Sequence, residues 1–140
     1  AIKNSKKVAM SLSDKFCVER HKPHFLNLVK NKLDIIFANE EEIMSLIDTN
    51  NFDEVINFAK EINKHLIITR GEKGAISVLH NKISEIGVKN NLKIVDLTGA
   101  GDLFAAGYLH ELIKNSSPKK CLEKGTELSS RIIQKIGARF

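Results

Sequence analysis

The run Gly-Ala-Gly-Asp at residues 99–102 is the part of the sequence best suited to chemistry. It follows Ile94 and Val95, which we predict to end a strand, and it opens an apolar stretch, residues 103–113, that we predict to be a buried helix. The start of a helix carries unpaired N–H groups and the positive end of the helix dipole, and small residues let an anion approach the backbone closely. We therefore expect an anion-binding turn here.

The carboxylate of Asp102 does not suit a site that only binds an anion, because like charges repel. It suits a site in which it accepts a proton from an attacking hydroxyl while nearby N–H groups stabilise a transferring phosphoryl group. A simpler interpretation, in which the acid stabilises the first helical turn and the glycines permit a tight turn, stays open on spacing alone. The run is not a Walker A loop, and Phe104 stands where a dinucleotide fingerprint has its third glycine.

Segments with strand and helix patterns alternate along the chain. We predict strands at residues 7–12, 33–38, 65–69, 75–79 and 83–88, and helices at residues 18–30, 40–47, 52–63, 103–113 and 119–136. This order predicts a layered α/β fold whose sheet is mostly parallel, with an antiparallel portion near residues 75–88. We expect Gly137 to cap the last helix.

Four polar residues follow predicted strands: Asp14, Asn39, Thr69 and Asp96. Ligands of open α/β sheets bind beyond the carboxyl ends of the strands. We therefore expect these four side chains to belong to a ligand site.

The composition of the 140-residue chain is that of one modest globular domain. The net charge of +5 comes from lysines spread along the chain, and with no Trp and one Tyr it indicates solvated faces instead of a nucleic-acid surface. Cys17 and Cys121 have no metal or redox spacing and fit a reducing, cytoplasmic environment, and no apolar run approaches the ~20 residues of a membrane span. His21 and His24 lack a third ligand, so we assign them to a solvated helix face.

Three motifs in this order resemble those of the ribokinase (PfkB) family. Residues 96–107 strongly resemble its D-T-x-G-A-G-D signature, with Leu97 where Thr is commonest; residues 39–42 resemble its N-x-x-E motif, and residues 69–74 its T-x-G-x-x-G turn. The resemblance covers essentially the whole chain. It implies a ribokinase-like fold and transfer of a phosphoryl group from ATP to a hydroxyl of a sugar or nucleoside, and the segments around Asp14 and Asn39 look most like the adenosine-kinase-like branch.

The resemblance also implies roles for the residues of the signature. Asp102 is expected to be the general base, and the anion hole is expected to be formed by three backbone amides, those of Gly99, Ala100 and Gly101. In many family members a monovalent cation, K⁺ for example, binds beside this turn, and Asp96 and Thr98 match positions used for it.

The two upstream motifs are expected to contact the nucleotide. Glu42, with Asn39 beside it, would order the water shell of an ATP-bound Mg²⁺, although an N-cap and first-turn stabilisation explain the same pair. Further nucleotide contacts are implied for Thr69, Gly71, Gly74 and Gly125. For these residues a plain turn or, at the last of them, helix packing stays the alternative.

Family members are longer than this chain. We expect residues 1–140 to be the C-terminal, nucleotide-binding half of a ribokinase-like domain, with the N-terminal acceptor-binding half and lid absent. Self-association through the sheet edge that this leaves exposed is a further expectation. Two alternatives remain: a catalytically inactive nucleotide-binding module and, with less support, a nicotinamide-binding oxidoreductase domain.

Overall fold

Five strands form one sheet in the order β1-β2-β3-β4-β5 in the computed structural model, which describes residues 5–88 and 92–138. The strands are β1 (Ala9–Ser11), β2 (Ile35–Asn39), β3 (His65–Thr69), β4 (Ala75–Leu79) and β5 (Lys82–Ile86). The helices are α1 (Lys15–Arg20), α2 (Lys22–Asn31), α3 (Glu40–Leu46), α4 (Phe52–Ile62), α5 (Ala100–Ile113) and α6 (Pro118–Ile132), with a 3₁₀ turn at Gly71–Lys73. The predicted α/β class is confirmed.

The sheet has a parallel and an antiparallel part, as the sequence predicts. β1, β2 and β3 are parallel, and the first four residues of both β2 and β3 are buried, as expected for strands covered on both faces. β4 and β5 are joined by His80 and Asn81, whose φ angles of 48° and 62° are those of a hairpin turn. β3 and β4 are joined by residues 70–74 alone, too few for a parallel crossover, so this pair is antiparallel as well.

The helix predicted at residues 18–30 is two helices. α1 ends at Arg20 and α2 begins at Lys22, with Pro23 in its first turn. A proline has no N–H and its ring collides with the preceding turn, so one helix cannot continue through it. α1 starts earlier than predicted because the Asp14 carboxylate accepts a hydrogen bond from the Phe16 amide, at 2.7 Å.

The strand predicted before the Gly-Ala-Gly-Asp run is absent, which is a correction. Residues 92–97 are irregular, and Ile94 and Leu97 are 55% and 64% exposed. The amides of Val95 and Asp96 donate to the Ile133 carbonyl, at 2.7 and 3.2 Å. The end of α6 therefore satisfies the backbone that a neighbouring strand would have paired.

The predicted cap of the last helix is also corrected. α6 ends at Ile132, with Ile133 as its C-cap, and Gly137 lies beyond the helix with a φ of +83°. The apolar pattern of residues 119–136 therefore runs past the true end of the helix.

The chain divides into two compact units. The first contains the residues up to Arg70 together with Ser77–Ile83, and its core is formed by β2, β3 and residues of the surrounding helices such as Val29, Ile43 and Val55. The second contains Gly71–Ile76 and the residues from Ser84 onward.

α5 and α6 form the core of the second unit. α5 was predicted to be buried nearly all round, but only one face is buried, at Phe104, Gly107, Tyr108 and Glu111, while Ile113 is 81% exposed. The buried face is set by a close crossing: a Cβ on Gly107 would lie 2.8 Å from the Lys124 carbonyl oxygen.

We expect Gly107→Val to lower the free energy of unfolding by about 3 kcal/mol, because backbone atoms of α6 cannot yield to the added side chain. Ala106→Val is the matched control, since it places the same residue on the exposed side of α5 and should cost less than about 1 kcal/mol. Urea unfolding measures both. Equal losses would contradict the close crossing.

Candidate functional site

The junction of β2 and α3 is a reciprocal capping box. The Glu42 amide donates to Asn39 Oδ1 at 2.8 Å, while the Asn39 amide and Nδ2 donate to Glu42 Oε2 and Oε1 at 2.9 and 2.8 Å. Glu42 is only 5% exposed. The N-cap alternative that the sequence left open is therefore present, and it does not conflict with a role toward a bound ion.

Burial raises the pKa of Glu42, the Asn39 backbone hydrogen bond opposes this, and the charges of Asp14 and Glu41 add to the rise. A cation nearby would offset this unfavourable charge. Each Glu42 oxygen already accepts one bond from Asn39. The carboxylate therefore fits an indirect role through the water shell of Mg²⁺ better than a direct place among its ligands.

The end of β3 lies beside this box. Asn39 and Thr69 are partners in the parallel register of β2 and β3, so the structure brings these two predicted residues to the same edge of the sheet. Three of the four residues expected beyond strand ends, Asp14, Asn39 and Thr69, do follow or end strands. Asp96 does not, because no strand precedes it.

The two glycines of the turn after β3 differ in what surrounds them. Gly71 has a φ of +55° with open space where a Cβ would lie, so its surface is free for a ligand. Gly74 has a φ of +93°, and a Cβ there would lie 1.9 Å from the Ile86 carbonyl oxygen. The backbone of β5 therefore accounts for Gly74 without a nucleotide.

Arg70 is a residue of this edge that the sequence reasoning missed. Its Nε donates to Glu40 Oε2 at 3.0 Å, both side chains are about one-fifth exposed, and its guanidinium carbon lies 3.7 Å from the centre of the Phe52 ring. The ion pair follows from the register of β2 and β3, because Glu40 and Arg70 each directly follow the paired residues Asn39 and Thr69, and the sequence alone does not give that register.

The Gly-Ala-Gly-Asp run begins α5, three residues earlier than predicted. Gly99 is the N-cap with a φ of +77°, and the Ala100 amide donates to the Leu97 carbonyl at 3.1 Å. The amides of Gly101 and Asp102 donate to no other residue of the described ranges, and Asp102 is exposed. The free amides are thus those expected at a helix start, and the Ala100 amide, predicted to belong to the anion hole, is already used in the turn.

The Asp96 carboxylate accepts hydrogen bonds both from the turn before α5 and from the chain after α6. Its Oδ1 accepts from the Thr98 amide and Oγ1 at 2.9 and 2.7 Å, and its Oδ2 accepts from the Gly137 amide at 2.9 Å. The Thr98 hydroxyl and amide, followed by the Gly137 amide, lower the pKa of the Asp96 carboxyl. The Asp96 carboxylate oxygens are therefore hydrogen-bonded within the protein, and binding of a monovalent cation at Asp96 and Thr98 stays a prediction.

Gly125 is accounted for by helix packing. It is buried in α6, and a Cβ there would lie 2.8 Å from the Phe104 carbonyl oxygen and 3.0 Å from its ring. Phe104 therefore accounts for a glycine at this position by packing alone, and the nucleotide contact of Gly125 stays a prediction.

The predicted site residues thus form two groups. The group in the first unit contains Asn39, Glu42 and Thr69, and the group in the second contains the signature residues from Asp96 to Asp102. Within residues 5–88 and 92–138, no group of three or more His, Cys, Asp or Glu side chains could hold a metal ion. No helix of those ranges is both long and apolar enough to cross a membrane.

The N-x-x-E box at the end of β2 and the Gly-Ala-Gly-Asp start of α5 are two of the motifs that resemble the ribokinase (PfkB) family. The family model described as "pfkB family carbohydrate kinase" matches residues 1–140. The chain belongs to this family, and the resemblance on its motifs is confirmed.

Individual relatives agree with this assignment. The chain is 30% identical to a nucleoside kinase of Methanocaldococcus jannaschii over 74% of its own length and 34% of that protein. It is 27% identical to adenosine kinase 2 of Arabidopsis thaliana over 100% of its length and 44% of that protein. The chain therefore spans less than half the length of these relatives.

Solved structures show the same fold. A probable sugar kinase from Rhizobium etli matches with a TM-score of 0.93 and 35% identity, covering 98% of this chain and 42% of that one. The adenosine kinase of Sinorhizobium meliloti matches with a TM-score of 0.91 and 35% identity, covering 96% and 41%.

Proposed function

We propose that this chain is the nucleotide-binding part of a kinase that transfers the γ-phosphoryl group of ATP to a hydroxyl of a sugar or nucleoside. The observation that carries the proposal is the start of α5, where the free amides of Gly101 and Asp102 lie next to an exposed carboxylate. Membership of the pfkB family supports this function over a nicotinamide-binding domain.

In this mechanism Asp102 removes the proton of the acceptor hydroxyl as its oxygen attacks the γ-phosphorus, and ADP leaves. A carboxylate can accept this proton as a general base, and that of Asp102 is exposed and therefore open to an acceptor. The free amides and the dipole of α5 stabilise the charge on the transferring phosphoryl oxygens. The φ of +77° at Gly99 supports this geometry, because it turns the backbone into the helix without a side chain.

We assign the nucleotide's other contacts to residues at the end of β3, in the turn that follows it and at the start of α3. We propose that Thr69 and the open surface of Gly71 contact the phosphates, and that Glu42 binds waters of the Mg²⁺ that ATP carries. The Mg²⁺ supplies charge neutralisation on the phosphates when it is bound.

The acceptor and the domain boundaries belong to the same proposal. Relatives named as nucleoside, adenosine and sugar kinases favour a nucleoside or sugar acceptor, and the adenosine-type matches favour a nucleoside. Because the chain spans 34–44% of these curated relatives, we assign residues 1–140 to the nucleotide-binding half and acceptor recognition to residues outside it.

Calorimetry with ATP–Mg²⁺ and with NADH, followed by turnover assays, tests this function. We expect the 140-residue chain to bind ATP–Mg²⁺ in the micromolar to millimolar range common for enzyme substrates, and NADH more weakly. Turnover of ATP with adenosine or a hexose is expected only in the longest protein that contains the chain. Binding of ATP without turnover in that protein would favour an inactive module, and tighter binding of NADH than of ATP would overturn the assignment.

A further inference from the structure

Arg70 joins two elements of the first unit that the proposed nucleotide site needs. Its guanidinium lies between an acid at the start of α3, Glu40 Oε2 at 3.0 Å, and an aromatic ring at the start of α4, Phe52 at 3.7 Å. The Arg70 and Glu40 side chains are 19% and 20% exposed, so the pair is largely shielded from solvent. A planar guanidinium can stack on a ring and donate in its own plane to a carboxylate, which an ammonium cannot do.

The ion pair between Arg70 and Glu40 lies directly beyond the paired ends of β2 and β3. Asn39 and Thr69 are partnered at the last position of β2 and β3, and Glu40 and Arg70 are the next residue on each strand. The ion pair therefore continues the pairing of the two strands past the end of the sheet. It holds the chain after Thr69 against the same helix start that contains the buried Glu42.

We propose that Arg70 is a positioning residue that fixes the distance between the phosphate-binding turn at Thr69 and the magnesium-ordering carboxylate of Glu42. This inference rests on the proposed function, because it assigns Arg70 no contact with the nucleotide. The two groups that it spaces would act on one ligand, the ATP–Mg²⁺ complex. Loss of the spacing would therefore weaken the part of ATP binding that depends on Mg²⁺.

The test compares ATP affinity with Mg²⁺ and with EDTA, by calorimetry on the 140-residue chain, at a temperature where circular dichroism finds each variant folded. We expect Arg70→Gln to weaken ATP–Mg²⁺ binding at least about tenfold and to change binding in EDTA less than about twofold, because Thr69 and Glu42 can act on one ATP–Mg²⁺ complex only at the correct spacing. Phe52→Leu should cost about threefold, the size of a partly exposed cation–π contact. Arg70→Lys should weaken ATP–Mg²⁺ binding less than Arg70→Gln does, because lysine keeps the positive charge.

Arg20→Gln is the matched control, since Arg20 is exposed at the end of α1 and should leave both affinities unchanged. If Arg70→Gln does not fold, Arg70→Lys and Phe52→Leu test the positioning role in its place. We then expect Phe52→Leu to lower the affinity for ATP with Mg²⁺ and to leave the affinity in EDTA unchanged. Wild-type chain that binds no ATP would overturn the proposed function itself. Wild-type chain that binds ATP, with Arg70 variants keeping the same ratio of affinities with and without Mg²⁺, would overturn the positioning role and leave the function standing.

Discussion

Asp102→Asn is expected to lower phosphoryl transfer by about 10²–10⁴-fold in the longest protein that contains this chain, because the amide cannot accept the acceptor's proton. The substitution keeps the size of the side chain at the start of α5. It also removes a negative charge next to the free amides of Gly101 and residue 102 itself. Affinity for ATP–Mg²⁺ should therefore stay equal or increase, so the loss should lie in kcat and not in nucleotide binding.

Asp53→Asn is the control for this prediction. Asp53 is likewise exposed in the first turn of a helix, α4, so the same change of charge is made in an equivalent local setting. We expect its kcat to match that of the unmodified protein. Equal activity of the Asp102 variant and the Asp53 variant would remove Asp102 as the general base.

The second large effect is expected for the stability of the first unit at acidic pH. His65 in β3 is 5% exposed, and its Nε2 lies 2.9 Å from the Ser77 hydroxyl in β4. Burial, followed by the charges of Lys7 and His80, lowers the pKa of His65 to about 4 from an ordinary value of 6.5. The imidazole is therefore neutral in the folded chain at pH values where it is protonated in the unfolded chain.

The direction of the pH effect on the free energy of unfolding is set by which state of the chain binds more protons. Between about pH 6.5 and 4 the unfolded chain binds a proton at His65 that the folded chain does not, so stability falls as the pH decreases through this range. A difference of about 2.5 in pKa corresponds to about 3 kcal/mol in the free energy of unfolding. This contribution is fully present above pH 6.5 and is lost as the pH falls to about 4. Urea unfolding from pH 7.5 to 4 should show this loss in the wild-type chain and not in His65→Gln.

His24→Gln serves as the control because it makes the same replacement at an exposed position of α2. Parallel stability curves for the wild type and His65→Gln would mean that the imidazole titrates normally in the folded chain.

Local sequence patterns predicted the central part of the fold well. The bounds of β3 and β4 match the prediction, because apolar runs bordered by polar or turn residues define short buried strands. α3 was predicted within one residue for the same kind of reason, since Asn39 and three acids mark its start. The signature at residues 96–102 identified the family, which is confirmed.

The parts of the fold that the sequence did not predict depend on contacts between residues distant in the chain. The pair Ile94 and Val95 resembles the end of a strand, but the amides of Val95 and Asp96 donate to the Ile133 carbonyl. The Asp96 carboxylate accepts from the Gly137 amide, 41 residues away. Such partners cannot be read from periodicity. The break at Pro23 is different, because a proline inside a helical pattern marks a boundary that the sequence itself contains.

The roles of single residues were hardest to predict where one residue type serves two purposes. Glycine at position 125 suits a nucleotide contact or a close helix crossing, and the sequence alone did not show the crossing that the distance to Phe104 reveals. The proposed positioning role of Arg70 depends on contacts of its guanidinium with Phe52 and Glu40, which lie on different helices, and the sequence does not show such contacts.

The most direct test of the account is the response of two backbone amides to the nucleotide. In a ¹⁵N-labelled chain titrated with ATP–Mg²⁺, the resonances of Gly101 and Asp102 should shift with the same affinity that calorimetry measures, because their free N–H groups bind phosphate oxygens. The Asp53 amide at the start of α4 is bonded to Asn51 and should not shift. Saturating ATP–Mg²⁺ that leaves the Gly101 and Asp102 resonances unchanged would contradict the phosphate-binding role of this helix start.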